Sequence, residues 1–188
     1  MPEQKDRLPP GQYLTKDLPV LHVGSIPHFT PETWDLRIGG LVESPSEFDY
    51  RAFQQLPRVT RKSDFHCVTT WSRYDLDWGG VSMTHILGRV KPLPTARFAF
   101  VQCDGGYTTN LSLQDLRDPD VMLADSLAGE PLTPEHGFPV RLVMPNKYAW
   151  KSAKWVRSIE FVEEDRPGFW EMRGYSKSAD PFEEERHG

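Results

Sequence analysis

The apolar residues of this chain are grouped into short segments, and this grouping limits the folds open to it. Residues 34–38 alternate between apolar and polar side chains, which predicts a half-buried strand. Apolar residues at helical spacing predict short helices over 50–56 and 83–87, the second capped by Ser82. Further strands are predicted over 97–103, 121–123, 140–143 and 155–162, and a short helix after Ser112. Short strands and helices without a strand–helix–strand rhythm favour an α+β fold over a doubly wound parallel sheet.

The length and loop content of the chain bound its domain organisation. With 188 residues, it can form one domain with a sizeable core, and we expect residues 1–188 to form a single domain. Its 17 prolines and 14 glycines indicate many loops. We expect residues 1–19 to be an extended arm on the surface. Residues 163–188 are expected to form a tail that packs its aromatic side chains on the domain, with docking on a partner as the alternative.

The charge of the chain and the patterns it lacks exclude several classes of function. A formal net charge of −5 disfavours nucleic acid as a partner, because duplex binding normally needs a basic face. The sequence contains no Gly-rich nucleotide-binding pattern and no apolar run long enough to cross a bilayer. Residues 1–7 show neither a hydrophobic signal segment nor twin arginines, so we expect a cytoplasmic protein.

Two cysteines, Cys67 and Cys103, give neither a disulfide framework nor a Cys-x-x-Cys pair, so a structural zinc site is not expected. Cys67 lies in a strand-like run, residues 64–72, among hydroxyl and aromatic side chains. A lone thiolate in this setting suits a soft-metal ligand or a nucleophile, and a buried thiol is also a common small apolar core residue. The residues alone leave all three interpretations open.

The distribution of charge gives a second clue. No acidic residue lies between Glu135 and Glu160, although the chain as a whole is acidic. Arginine and lysine bind phosphate oxygens well, so a concentration of cations in one segment favours a phosphate-bearing ligand over a solvated basic face. The basic residues of this segment are Arg141, Lys147, Lys151, Lys154 and Arg157.

Four segments of the chain, in order, resemble motifs of the sulfite oxidase superfamily. Residues 64–72 resemble the loop whose cysteine binds molybdenum in that family. Residues 136–145 and 147–156 resemble its second signature, and residues 19–27 resemble the loop that begins its cofactor site. The chain is most similar to the small single-domain bacterial members, which are related to the methionine sulfoxide reductase catalytic subunit.

This resemblance implies the sulfite oxidase molybdopterin-binding domain fold, with mixed sheets and short helices, and a molybdenum–molybdopterin cofactor. It implies that Cys67 is the metal ligand and that Tyr107 lies near the metal, where it can bond substrate or relay a proton. A structural role is the alternative for each residue. The other cofactor contacts implied by the resemblance are His22, Ser25, Ile26, Cys103, His136 and Arg141, with Ser152, Ala153 and Lys154 as a phosphate cradle.

One position departs from the family pattern and bears on the substrate. Sulfite oxidases have an arginine just before the position of His22, and this chain has Leu21 there. We therefore expect an enzyme that transfers oxygen atoms, in two-electron steps, to or from a small S-oxide or N-oxide, with electrons exchanged through a separate partner protein. Sulfite oxidation and a non-catalytic molybdopterin carrier are alternatives, as is a thiol enzyme that pairs Cys67 with His66 or His136. We expect a monomer.

Overall fold

The computed structural model describes residues 7–188, whose regular structure consists mostly of short strands. The α-helices are α1 (Tyr50–Gln54), α2 (Met83–Val90) and α3 (Leu113–Leu116). The strands are β1 (Tyr13–Leu14), β2 (Asp35–Gly40), β3 (Ser46–Asp49), β4 (Val59–His66), β5 (Trp71–Ser82), β6 (Phe98–Cys103), β7 (Thr108–Ser112), β8 (Met122–Leu127), β9 (Glu130–Pro131), β10 (Arg141–Val143) and β11 (Val156–Val162). Single turns of 3₁₀ helix cover Asp104–Gly106, Pro134–His136, Ala149–Lys151 and Glu171–Arg173.

The strands form two mixed sheets, which confirms the predicted α+β class. The first sheet has the order β1-β5-β8-β10, with β4 also paired to β5 and β9 to β8. The second has the order β3-β2-β11-β6-β7. Pairing is antiparallel except for β1 with β5 and β2 with β11, so parallel and antiparallel neighbours occur in both sheets.

Local sequence signals explain most of these elements. In β2 the side chains of Leu36 and Ile38 are buried at 0% and 1% exposure while their neighbours face outward, as the alternation predicts. Ser82 caps α2 by accepting a hydrogen bond from the backbone amide of His85. The helix then buries Met83 and Ile86 in the main core, which residues from both sheets and the helices share.

The strand-like run over residues 64–72 is interrupted by a turn. β4 ends at His66 and β5 begins at Trp71, so Cys67 lies in the turn between two strands. Thr70 has a φ of 76°, in the left-handed region, and its amide donates to the carbonyl of Cys67 at 3.0 Å. The amide of Cys67 donates to the carbonyl of Trp71 at 2.9 Å. The long β4–β5 hairpin therefore presents Cys67 at its tip.

The segments at both ends of the described range run along the domain. Residues 1–6 of the predicted arm lie outside the described residues, and the remainder includes β1, which pairs with β5 beside the tip of the hairpin. In the tail, Trp170 and Tyr175 pack around Trp150, whereas Phe182 stays 45% exposed. None of the helices within residues 7–188 is long and apolar enough to span a membrane.

Close pairing of β5 and β8 gives a prediction for stability. A Cβ at Gly80 would lie 2.1 Å from the carbonyl oxygen of Leu123, which belongs to backbone that cannot move aside easily. We expect Gly80→Ala to lower the free energy of unfolding by about 3 kcal/mol or more, as overpacking does. For a chain of this size that corresponds to a fall in Tm of roughly 6–12 °C. Gly39→Ala is the matched control, because its Cβ would meet nothing within 4 Å. An equal loss of Tm in both variants, measured by circular dichroism, would contradict this explanation.

Candidate functional site

A cavity of about 300 Å³ opens between the tip of the β4–β5 hairpin, the loops around β10 and the C-terminal tail. Most of the site residues expected from the sequence line it, although they come from segments far apart in the chain. These residues are His22, Cys67, Tyr107, His136, Arg141, Ser152, Ala153 and Lys154.

Three expected site residues do not line this cavity. Ser25 lies in a separate surface depression with Asp104 and Arg157. Ile26 lines neither of these two pockets. Cys103 is part of the main core, where burial raises the pKa of its thiol well above the ordinary value. The backbone amide of Cys103 donates to the carbonyl of Tyr107 at 2.9 Å. Cys103 therefore contacts a residue that lines the cavity but does not line it itself.

Cys67 presents a buried thiol to the cavity. Its side chain is 6% exposed, and its Sγ accepts a hydrogen bond from the hydroxyl of Thr69 at 3.1 Å. Burial raises the pKa of this thiol because the desolvated thiolate is disfavoured, although the Thr69 bond acts in the opposite direction. A cysteine nucleophile is activated by a lowered pKa, so this environment does not favour a thiol enzyme. A metal ion would keep the sulfur as thiolate.

Arg141 places a guanidinium in the wall of the cavity without any ion-pair partner among the described residues. It donates to the backbone carbonyls of His136 at 2.9 Å and Ser152 at 3.0 Å. The guanidinium lies over the rings of Phe65 and Trp78, 5.2 and 5.1 Å from their centroids. Burial lowers the pKa of Arg141 to about 10, which shows that the carbonyls and rings do not fully replace water around the charge.

Lys154 is a second cation in the same wall. Its Nζ donates to the carbonyls of Leu21 and Glu135, both at 2.8 Å. Burial and, to a smaller extent, the positive charge of Arg141 lower the pKa of Lys154 to about 8. The side chain of the neighbouring Ala153 is only a methyl group, which leaves the cavity open beside it. The backbone amides of Ala153 and Lys154 have no acceptor within residues 7–188. Two cations and two free amides make this wall suitable for an anion.

The other three cations of the basic segment pair with acidic side chains. Fewer residues of that segment therefore remain as candidates for binding a phosphate. Lys147 pairs with Asp115 at 3.2 Å, and Arg157 pairs with Asp35 and Asp104. Lys151 is fully buried and pairs with Glu171 at 2.6 Å. Among the five basic residues of the segment, only Arg141 and Lys154 keep a charge that no acidic side chain pairs with in the described structure.

The three histidines near the site form hydrogen bonds with groups other than the sulfur of Cys67. His136 donates from Nε2 to the carbonyl of Leu18 at 3.1 Å, and its Nδ1 bonds the hydroxyl of Thr133 at 3.1 Å. The ring of His66 bonds the hydroxyl of Ser72 at 2.8 Å and does not line the cavity, and burial lowers its pKa to about 4. His22 is exposed and bonds the carbonyl of Gly24 at 2.9 Å. Within the described residues the sulfur of Cys67 bonds the hydroxyl of Thr69 and neither the ring of His66 nor that of His136.

Tyr107 reaches the cavity from the turn after β6. Its hydroxyl donates to the carbonyl of Trp150 at 2.5 Å. Desolvation raises the pKa of Tyr107 well above its usual value, with a further contribution from the charge of Glu171. The phenol therefore stays protonated and can act as a hydrogen-bond donor but not as a base at neutral pH.

A second wall of the cavity is aromatic. Sequence analysis assigned no role in the site to its residues, which are Trp71, Trp150, Trp155, Trp170 and Tyr175. The indole of Trp150 donates to Glu171 at 3.0 Å, so the buried Lys151–Glu171 pair also orients this wall. The buried indole N–H of Trp71 has no acceptor among the described residues. A bound group with an oxygen or sulfur acceptor would satisfy it.

The donor set of the cavity fits a metal that brings most of its own ligands. Within residues 7–188 no group of three or more His, Cys, Asp or Glu could hold a metal ion by itself. The cavity does combine one soft donor, Cys67, with an anion-binding wall at Arg141 and Lys154. A metal held by an organic cofactor that carries a phosphate needs both features.

Comparison with known proteins agrees with this geometry. Residues 23–170 match the family model described as oxidoreductase molybdopterin binding domain. The chain is 43% identical over 185 residues to the uncharacterized oxidoreductase YuiH of Bacillus subtilis (strain 168), covering 98% of this chain and 93% of that protein. It is 29% identical over 161 residues to the protein-methionine-sulfoxide reductase catalytic subunit MsrP of Campylobacter jejuni, covering 77% of this chain and 54% of that subunit.

Two further matches extend the comparison. The MsrP catalytic subunit of Ralstonia nicotianae is 28% identical over 84% of this chain, which spans 51% of that subunit. This chain thus spans about half the length of the methionine sulfoxide reductase subunits it matches. The fold resembles that of the sulfane dehydrogenase SoxCD from Paracoccus pantotrophus, with a TM-score of 0.70 and 23% identity over 77% of this chain and 42% of that one.

The lowered pKa of Lys154 predicts pH-dependent anion binding in the absence of other ligands. Below about pH 8 Lys154 is charged, and above it the charge is lost, because burial lowers its pKa from the usual 10.5 to about 8. We expect inorganic phosphate to raise Tm at pH 7 and to do so less at pH 9. Lys154→Arg should keep the effect at pH 9, because guanidinium stays charged. Lys91→Met is the control, because the side chain of Lys91 is 63% exposed and does not line the cavity. This variant should respond to phosphate as the unmodified protein does at both pH values. The same pH dependence in Lys154→Arg would count against this assignment.

Proposed function

The chain belongs to the oxidoreductase molybdopterin-binding domain family, and we propose that within it the protein reduces a small sulfoxide or N-oxide by two-electron oxygen-atom transfer. The family assignment makes it a molybdopterin-dependent enzyme of the sulfite oxidase type, as the motifs predicted. The observation that carries the finer proposal is the composition of the cavity. It combines one buried thiol with two cations that have no acidic partner within residues 7–188, and its remaining walls are largely aromatic.

The residues of the cavity can divide the task of holding the cofactor. Cys67 would bind the metal through its sulfur and would release its proton on doing so. Arg141, Lys154 and the free amide of Ala153 would bind the phosphate and the polar edge of the pterin. The N–H of Trp71 would satisfy one further acceptor. When bound, the molybdenum–molybdopterin group supplies the two-electron redox chemistry.

Two other features of the chain would act on substrate. Tyr107 stays protonated and lies in the wall, where its hydroxyl can be redirected from the carbonyl of Trp150 to a substrate oxygen. Three residues of the aromatic wall, Trp150, Trp170 and Tyr175, would exclude water and offer ring faces to an apolar or methylated sulfur or nitrogen centre. Both features suit a neutral oxide better than a small dianion.

The cations near the cavity give little support to sulfite as substrate. Leu21 lies on the rim with 53% of its surface exposed, where sulfite oxidases have an arginine. Two other cations could in principle bind sulfite, but Lys151 already pairs with Glu171, and Arg73 does not line the cavity. Arg141 and Lys154 remain, and both would be occupied by the cofactor. The relatives at 28–29% identity are named as methionine sulfoxide reductase subunits, which supports an S-oxide.

Electrons must reach this site from another molecule. The relatives MsrP are named as catalytic subunits, which supports a separate electron-transfer partner. The monomeric state and the cytoplasmic location expected from the sequence stay predictions.

The metal assignment predicts a specific loss in one cysteine variant. Protein made in a molybdenum-sufficient host should carry close to one molybdenum atom per chain, measured by elemental analysis. Cys67→Ser should change the visible spectrum and abolish turnover, because a hydroxyl is a poor replacement for the soft thiolate. Cys103→Ala, at the other buried thiol, should keep the metal and lose only stability. Full turnover by Cys67→Ser would contradict the role of Cys67.

Substrate choice gives a second prediction. With a reduced dye as donor, the protein should reduce at least one sulfoxide or N-oxide and should oxidise sulfite poorly, with a high KM. Leu21→Arg should raise kcat/KM for sulfite by about tenfold or more, the size of one charge-assisted contact. Leu14→Arg is the control, since Leu14 is equally exposed at 52% but does not line the cavity. Efficient sulfite oxidation by the unmodified protein at micromolar sulfite would overturn the proposed substrate class.

A further inference from the structure

The turn that carries Cys67 is held from outside by two polar side chains. The carbonyl of Cys67 itself accepts a hydrogen bond from the side-chain amide of Gln12 at 3.1 Å. The carbonyl of the next residue, Val68, accepts one from the guanidinium of Arg186 at 2.5 Å. Both donors lie outside residues 23–170, the range that matches the family model.

Backbone contacts continue the same pattern along the turn. The amide of Tyr13 donates to the carbonyl of Thr70, and the amide of Thr15 donates to the carbonyl of Ser72, both at 2.9 Å. Four of the six carbonyls between residues 67 and 72 thus accept from the segments 7–22 and 171–188. We call residues 67–72 the Cys67 turn and these two segments the flanking segments.

The flanking segments also contact each other beside the Cys67 turn. A Cβ added at Gly11 would lie 3.5 Å from the carboxylate of Glu184 and 3.7 Å from the guanidinium of Arg186. Arg186 lies over the ring of Tyr148, 5.4 Å from its centroid, and Tyr148 is fully buried. The amide of Tyr148 donates in turn to the carbonyl of Ala179 at 2.8 Å. The contacts therefore join one segment to the other and both to the domain.

The Cys67 turn needs such support because its own bonds are few. Thr70, a β-branched residue, has a φ of 76°, a conformation that costs on the order of 1–3 kcal/mol outside glycine. The turn closes with only the two backbone bonds between Cys67, Thr70 and Trp71. A strained turn keeps one conformation only where the surrounding structure fixes it.

We propose that Gln12 and Arg186 are positioning residues that act together as one clamp on the Cys67 turn. The clamp fixes where the sulfur of Cys67 points in the cavity. This inference rests on the proposed function, in which Cys67 binds the metal, and it adds residues that the family-matched region does not contain. Loss of either side chain frees a carbonyl of the turn and lets the strained conformation relax.

The first test uses the full chain without cofactor and needs no turnover. The rate at which iodoacetamide alkylates Cys67 is followed by mass spectrometry, with the core residue Cys103 as internal reference. We expect Arg186→Gln and Gln12→Leu each to speed alkylation of Cys67 by about tenfold or more, the effect of losing one buried hydrogen bond to a carbonyl. The rates are compared per thiolate, from their pH dependence, because the charge of Arg186 lowers the pKa of Cys67. Arg186→Lys, which keeps a cationic donor, should restore part of the protection.

Arg173→Gln is the matched control. Arg173 lies in the same flanking segment, donates to the carbonyl of Phe169 at 2.7 Å and covers its ring, 3.7 Å from the centroid, but does not touch the Cys67 turn. An unchanged rate in both clamp variants would overturn the proposal, as would equal acceleration in Arg173→Gln. If the rate factor of the double variant equals the product of the single factors, the two residues are independent anchors and not one clamp.

The second test uses the molybdenum-loaded protein. A displaced sulfur should shift or broaden the thiolate-to-metal absorption band in Arg186→Gln while Arg173→Gln leaves it unchanged. An unaltered band in Arg186→Gln would show that the clamp does not position the sulfur. If the protein binds no molybdenum at all, the proposed function fails, whereas the alkylation experiment still decides whether the clamp exists.

Discussion

The guanidinium of Arg141 lies buried in the cavity wall, where it donates to the backbone carbonyls of His136 and Ser152. These two bonds join the loop before β10 to the loop after it, and the rings of Phe65 and Trp78 tie the same group to the β4–β5 hairpin. A buried charge loses several kcal/mol of hydration, and dipoles and ring faces recover only part of that loss. The pKa of about 10 reflects the remainder. The cavity is therefore built around a cation that an anionic ligand would stabilise further.

Folding also decides which cations of an acidic chain remain available to such a ligand. Lys151 and Glu171 are 20 positions apart in sequence, yet they form a fully buried pair that orients Trp150. Arg157 is neutralised by two aspartates on neighbouring elements. Lys154 stays unpaired because its neighbours in space are the carbonyls of Leu21 and Glu135, which direct its ammonium group without neutralising it. A net charge of −5 is thus compatible with one local anion site.

Sequence reasoning identifies the parts of this site that depend on residue type or local spacing. Cys67, Arg141 and Lys154 stand out by motif and charge, and β2 and α2 follow from alternation and from the cap at Ser82. The strand-like pattern of residues 64–72 does not show where the turn lies, because the left-handed conformation of Thr70 has no signal in residue type. The ion pairs that remove three cations from the basic segment, and the aromatic wall from residue 150 to residue 175, depend on contacts between distant segments that periodicity does not encode. Ser25 and Cys103 are close in sequence to residues of the site, but Ser25 lies in a separate surface depression and Cys103 in the main core.

The walls of the cavity come from different parts of the chain. Cys67 and the two cations of the wall, Arg141 and Lys154, come from the range 23–170 that matches the family model. Tyr175, which completes the aromatic wall, comes from residues after that range, as does Arg186 on the Cys67 turn. The matched region therefore supplies the thiol and the two cations, whereas the flanking segments supply part of the cavity wall and a contact to the Cys67 turn. Because Tyr175 lines the cavity while Arg141 and Lys154 lie in the matched region, a change at Tyr175 would alter the cavity wall and leave both cations in place.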